Sequence, residues 1–350
     1  MTTNNYLTPI YRRSYSILFF TLLLFILTGC GEKREQTEST AEIALFVPGI
    51  LAENPSFTMM YEGTKRAADK SGLNVIIIEG GYDQQQWKDQ MTALAAEGHY
   101  TLIVTTGPAM IEICSAAGKN SPDQQFLCLD GFYSGELKIA SYRFNHRELA
   151  FLLGYFAGLI TSSEMEFANK QIKIGLIAGV DDQQMEKEIR PGFEIGFRTV
   201  HPEGIIDFRV AENQDDIEGA STLAQSMISE GVDIIMPIAG KANQGVVTAA
   251  EEWGAYVLWY DSPGFNRKPG TAVGSGKISL DLATESMIQK ILSEKSESFI
   301  TEEGHVFSGI LDFLDTEKHY LKGVPEEVRN SMNTLMTRTR EGSFSLPFSN

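Results

Sequence analysis

From Ile43 onward, short continuous apolar runs alternate with amphipathic segments at helical spacing. IALFV (43–47), NVIII (74–78), TLIVTT (101–106) and FLCLD (126–130) are five or six residues long and rich in β-branched side chains, which predicts strands. Residues 138–143 predict another. Between the runs, Met60, Tyr61, Thr64, Ala67 and Ala68 fall near one face of a helix over 57–70. Trp87, Met91, Leu94 and Ala95 do the same over 84–97, and 108–117 completes the set. Strands that are apolar throughout, each followed by a helix, imply a parallel sheet covered on both faces.

The pattern then starts again. A helix over 147–159 leads into IKIGLIAG (172–179), a new first strand. Helices are expected over 186–200, 217–229 and 243–252, with strands over 205–210, 233–238 and 256–261. The halves share a faint echo: IALFVPG followed by YEGTKRAADKSGLNVIII parallels IGLIAGV followed by FEIGFRTVHPEGIIDFRV. Two βα lobes imply a cleft between them, with ligand beyond the carboxyl ends of the strands. After Asp261 come a Pro/Gly-rich turn (262–270), a strand near 271–275 and a helix over 280–292. Residues 299–313 give no clear pattern, 325–337 predict a surface helix, and 342–350 read as extended.

The first 30 residues follow other rules. Arg12 and Arg13 precede an apolar stretch, 17–27, broken only by Thr21, and the chain then reads Leu27-Thr28-Gly29-Cys30. A basic start, a short apolar core and small residues before a cut describe a secretory leader. Eleven residues is about half the length a membrane-spanning helix needs. The Cys makes the leader that of a lipoprotein, with Cys30 taking the lipid and becoming the first residue after cleavage; an ordinary leader with an incidental Cys is the alternative. GEKREQTEST (31–40) has no apolar residue and reads as a tether.

Cleavage leaves 321 residues, which suits two lobes of roughly 150 each. Without Arg12 and Arg13, 27 basic residues face 46 acidic ones. That surface repels phosphate polymers, so nucleic acid is not an expected partner. Cys114 and Cys128 either pair outside the cell or sit as small buried residues on a helix and the following strand; the spacing does not fix disulfide geometry.

Five segments resemble one known family, the basic membrane proteins, which are solute-binding lipoproteins of ABC transporters and include purine-nucleoside receptors. They are SFTMMYEGTKRAA (56–68), LDGFY (129–133), SYRFNHRELAFLLGYFAGLIT (141–161), IGLIAGVDDQQMEKEIRPGFEIGF (174–197) and IMPIAGKANQGVVTAAEEWGAYVLWYDS (235–262). Order, spacing and lipobox carry the resemblance over 43–347. It implies an α/β type I periplasmic-binding-protein fold, with two Rossmann-like lobes and a hinged cleft. Crossovers are expected near Phe144, Ser262 and Ile300. This gives a leader (1–29), a tether (30–40), a first lobe of 41–143 plus 262–299 and a second of 144–261 plus 300–350.

The resemblance also proposes ligand residues. Phe57, at the start of the first helix, matches the ring that stacks on a base; packing into the lobe is the other reading. Glu53 and Asn54 occupy a loop where the family has acidic or amide residues. Pro48 stands where the nucleoside receptors carry an Asp, which removes one base contact. Thr106 and Gly107 end a strand and offer backbone N–H groups. Asp130 matches a family Asp suited to a ligand hydroxyl or amine, or to a turn cap. Asn145 and Arg147 touch ligand or fix the hinge. Asp181 and Asp182 reach ligand or cap the next helix. Gly240, Lys241 and Asn243 match a ligand loop, with Lys241 an unusual bulk. Asp261 matches the carboxylate that holds vicinal ribose hydroxyls, and Lys277 a Lys that reaches the sugar. Met236, Trp259 and Phe265 are candidates for the second ring on the base.

Chemistry of the catalytic kind is not indicated. His99, His146, His201, His305 and His319 are scattered without metal-ligand spacing, and no nucleophile elbow, P-loop or GxGxxG follows a strand. No cofactor, metal or catalytic residue is expected. The leading expectation is a lipid-anchored receptor on the outside of the cytoplasmic membrane. It acts as a monomer, captures a nucleoside-like small molecule and hands it to an ABC permease. A surface antigen or adhesin for host macromolecules remains open, as does the same receptor with a sugar or autoinducer-like ligand.

Overall fold

The computed structural model describes residues 41–81, 83–293 and 300–344. The expected leader, the tether with Cys30, and residues 345–350 lie outside the described residues.

Two six-stranded sheets form the frame. The strands are β1 (Glu42–Val47), β2 (Asn74–Glu79), β3 (Tyr100–Thr106), β4 (Phe126–Leu129), β5 (Ile139–Phe144), β6 (Lys173–Ala178), β7 (Ile205–Val210), β8 (Ile234–Ile238), β9 (Tyr256–Trp259), β10 (Ala272–Ile278), β11 (Thr301–Gly304) and β12 (Leu311–Phe313). The first sheet runs β11-β5-β4-β3-β1-β2 and is parallel throughout. The second runs β12-β10-β9-β8-β6-β7, parallel except for the antiparallel pair β10 and β12. Ile43 to Val47 in β1 are fully buried, as a strand sandwiched between helix layers requires. The edge strands β2 and β7 leave Ile76, Ile77 and Ile205 exposed.

The helices are α1 (Pro55–Ser71), α2 (Gln84–Ala96), α3 (Pro108–Asn120), α4 (His146–Thr161), α5 (Arg190–Val200), α6 (Ile217–Ser229), α7 (Asn243–Trp253), α8 (Leu280–Ser293), α9 (Lys318–Gly323) and α10 (Glu326–Arg340). Short polar side chains set several starts: Asn54, Asp83, Asn145 and Asp216 each accept a backbone N–H in the first turn. The helix expected over 186–200 is two pieces. Met185–Ile189 winds as a π-helix and α5 follows. Pro191 has no N–H for the carbonyl of Lys187 four residues earlier, and the Arg147 guanidinium donates to that carbonyl at 2.6 Å instead.

The internal echo marks a shared packing device. A Cβ on Gly63 in α1 would lie 2.3 Å from the Asp281 carbonyl oxygen of α8. Gly196 in α5, one position along in the echo, would place one 2.1 Å from the Phe151 carbonyl oxygen of α4. Gly192 and Gly154 meet backbone equally closely across the same pair of helices. Each helix pair is thus seated at backbone-to-backbone distance.

The lobe boundaries differ from the expected ones. The chain crosses between sheets after β5, after β10 and after β11. β10, expected in the first lobe, pairs with β9 and β12 in the second sheet. β11, expected in the second lobe, pairs with β5 in the first. The Pro/Gly-rich stretch after Asp261 is a turn inside the second lobe: Ser275 Oγ accepts from the Gly264 N–H at 3.1 Å and donates to the Ser262 carbonyl at 2.8 Å, returning the chain beside β9. Cys114 and Cys128 are both free and buried.

The Gly196→Ala variant is expected to lose about 2–3 kcal/mol in urea unfolding, because the new methyl meets backbone that cannot rotate away. A loss within 0.5 kcal/mol would mean the α4–α5 seat is looser than the distances indicate.

Candidate functional site

The carboxyl ends of β1, β3 and β4 in the first lobe face those of β8 and β9 in the second. Two adjoining cavities lie between them, of about 440 and 170 Å³. Ser56, Ile238, Tyr260 and Asp261 line both. Taken together they fall within the size range of small-molecule sites.

The outer cavity is bordered in the first lobe by the loop after β1. Glu79 Oε1 accepts from the Leu51 N–H at 2.7 Å and holds that loop. Asn54 Oδ1 accepts from the Ser56 N–H at 2.9 Å as the cap of α1, which leaves its NH₂ and one oxygen lone pair for a ligand. Pro55 opens the helix and Phe57 follows in its first turn, half-buried, on the cavity wall. From the second lobe come Trp259, Asp261, Lys241 and Arg267. The Trp259 indole donates to Ser262 Oγ at 3.0 Å, and the Arg267 guanidinium lies 4.5 Å from its ring centre, a cation–π contact. Met236 and Phe265 are core residues. Of the three candidate rings and side chains for the second face of a base, Trp259 alone lines the cleft. Lys241 Nζ lies 3.3 Å from Glu53 and 3.8 Å from Asp215, so its bulk spans the mouth from the second lobe to the first.

The inner cavity is the smaller, and two carboxylates, Asp130 and Asp261, line it. Asp130, at the end of β4, has φ of 54°, the left-handed region. Its Oδ1 accepts from His146 Nε2 at 2.7 Å and from Gln184 Nε2 at 3.4 Å. Asp261 lies opposite. Burial pushes its carboxyl upward, against the hydrogen bond from Ser262 and the charges of His146 and Arg267. Burial likewise pushes the Tyr260 hydroxyl well above its ordinary value, and Asp130, Asp261 and Glu188 add to it.

The structure therefore brings Glu53, Asn54, Phe57, Asp130, Lys241 and Asp261 together, and leaves four expected ligand residues out. The Gly107 N–H is spent on the Leu129 carbonyl at 2.8 Å, so it is a strand contact and not a ligand donor. Asn145 Oδ1 caps α4 through the Glu148 N–H at 3.1 Å. Asp182 Oδ1 caps the π-helix through the Met185 N–H at 2.8 Å. Lys277 stands opposite Asp312 in the β10–β12 pair; its neighbour Ile278 lines the inner cavity, and adjacent strand residues face opposite ways. Asn243 lines the outer cavity, its Oδ1 accepting from the Ala239 N–H at 2.7 Å. Sequence reasoning missed Trp87, His146, Gln184, Tyr260 and Arg267. His146 and Tyr260 adjoin residues already singled out, Asn145 and Asp261, where strands give way to loops at the cleft.

The family model for "ABC transporter substrate-binding protein PnrA-like" matches residues 40–313. Basic membrane protein A2 of Borrelia garinii subsp. bavariensis is 20% identical over 342 residues, covering 95% of each chain. A Lactococcus lactis protein named ABC transporter nucleoside-binding protein BmpA is 26% identical over 157 residues, covering 45% of this chain and 42% of its own. Among solved structures, an ABC transporter solute-binding protein of Aeropyrum pernix superposes with a TM-score of 0.72 at 19% identity, covering 89% of this chain and 94% of that one.

Asp182→Ala is expected to cost about 1 kcal/mol of stability through the lost cap while leaving ligand affinity unchanged. Paired urea and calorimetric titrations check this. A tenfold loss of affinity at unchanged stability would return Asp182 to the ligand site.

Proposed function

Because this chain belongs to the family of PnrA-like ABC transporter substrate-binding proteins, we propose that its own ligand is a nucleoside, captured between the lobes and delivered to an ABC permease. Substrate-binding proteins of these transporters work outside the cytoplasm; here the Cys30 lipid holds the monomer to the membrane surface.

One arrangement supports the nucleoside reading above the others. Phe57 and Trp259 come from opposite lobes to the outer cavity, and the carboxylates Asp130 and Asp261 flank the inner one. Flat rings suit a base, and stacking contributes about 1–3 kcal/mol per base without depending on its edge. Carboxylates only accept hydrogen bonds, so two of them suit hydroxyl donors of a ribose. Pro48 lines the outer cavity and offers the base no hydrogen bond, so base discrimination rests on Asn54, Lys241 and the shape of the cleft. Ligand contacts on both lobes favour the closed form, which is the form a permease reads.

The purified protein, unfolded and examined by mass spectrometry, is expected to release a nucleoside, and a thermal-shift panel of nucleosides and sugars to show stabilisation by nucleosides. At 100 times the dissociation constant the gain is about 2.7 kcal/mol. Phe57→Ala and Asp261→Asn are each expected to weaken binding on the order of 10- to 100-fold. Stabilisation by free sugars alone would keep the transport role and remove the nucleoside.

Cys30→Ser is expected to move the protein from the membrane fraction to the soluble fraction. A variant that stays with the membrane would rule out the lipid anchor.

A further inference from the structure

His146 is the first residue of α4, where the chain enters the second lobe, and only 4% of its surface is exposed. Its two ring nitrogens reach opposite ways. Nε2 meets Asp130 Oδ1 of the first lobe at 2.7 Å, and Nδ1 meets the Tyr260 hydroxyl of the second at 3.0 Å. Gln184 crosses to the same Asp130 oxygen. The ring forms part of the wall of the inner cavity. We infer that His146 is a positioning residue for ligand capture: its imidazolium pins Asp130 of one lobe to Tyr260 of the other, and capture weakens when that proton is lost.

The hydrogen-bond bookkeeping supports a second ring proton. Tyr260 has one hydroxyl proton, and the hydroxyl also donates to the His146 carbonyl at 3.3 Å. With its proton there, the Tyr260 oxygen can only accept from Nδ1, so Nδ1 carries a hydrogen. Nε2 faces a carboxylate and carries one as well. Loss of the ring proton has an outlet: Tyr260 turns its hydrogen to Nδ1 and leaves the carbonyl. The bridge then survives as a neutral contact, weaker than the charge-assisted one.

The groups facing the ring are Asp130 from the end of β4, Tyr260 and Asp261 from the end of β9, and Glu188 from the π-helix. Burial pushes the imidazole down. Asp130 above all, with Glu188 and Asp261, more than offsets this, so its pKa stands raised above 6.5. A raised value means that the bridged state holds the proton. The stabilisation is complete below pH 6.5 and is lost as pH rises through the raised value. Opening the lobes draws Asp130 away from the ring. Protonation therefore favours the closed form, and ligand binding in turn raises the affinity for the proton.

The closure arm needs no ligand, whereas the affinity arm rests on the nucleoside reading. Trp87 and Trp259 both line the cleft, so tryptophan fluorescence of the ligand-free protein between pH 5.5 and 9 reports closure. One transition centred above pH 6.5 is expected, absent in His146→Gln and shifted downward in Asp130→Asn. Adenosine, whose base is uncharged over this range, is expected to lose affinity on the order of tenfold across the same transition, each pKa unit between open and closed forms being worth tenfold. A transition that persists in His146→Gln overturns the proposal, as does a flat wild-type profile. Should His146→Gln not fold, an NMR titration of labelled histidine in the wild type decides: a midpoint at or below 6.5 overturns it, and one above supports it. A fluorescence transition with no adenosine binding at any pH removes the nucleoside and leaves the histidine bridge standing.

Discussion

Parallel pairing puts the carboxyl ends of all neighbouring strands on one side of a sheet, and here both sheets present that side to each other. The consequence is chemical as well as geometric. Strand ends are where the regular ladder stops, so backbone groups and polar side chains become free there to serve a ligand. Pro48, Thr106 and Asp130 leave the first sheet, and Ile238, Tyr260 and Asp261 leave the second, all at the walls of one cleft. Three passes of the chain connect the two sheets.

The lobes are stiff where the cleft is adaptable. Glycines at backbone contact seat α1 on α8 and α4 on α5, so each lobe is closely packed. Across the cleft the contacts are of another kind: an ion pair from Lys241 to Glu53 at the mouth, and the Asp130–His146–Tyr260 bridge at the hinge. The first is half-exposed and weak in salt. The second is buried, where a charge matters more. An overall acidic protein thus places its three cationic cleft groups, Lys241, Arg267 and His146, where they touch carboxylates or a ring.

Much of the site was legible because strand ends can be read from sequence. Asp130 and Asp261 were found by that rule, helped by resemblance, and Phe57, at the start of the first helix, by resemblance. Three of the failures share one cause. Asn, Asp and Gly serve caps and turns as readily as ligands, and the residue type does not say which. Asn145 and Asp182 became caps, and Gly107 gave its N–H to the neighbouring strand. Lys277 failed on parity, since one residue's difference along a strand reverses the face. The Pro/Gly turn after Asp261 marked a real turn but not a change of lobe, because punctuation reports where the chain bends and not which sheet it rejoins.

The sequence by itself determined ten of the twelve strands, nearly all the helices, the doubling into two lobes and the family. These follow from local periodicity and short-range spacing, which the chain carries everywhere. Tertiary structure alone decided which sheet receives β10 and β11, which rings face the cleft, and that a histidine beside the hinge joins Asp130 to Tyr260. That last contact links residues 16 and 114 positions away in the chain. Their meeting depends on the relative placement of two separately formed sheets, a distance relation that no local pattern encodes.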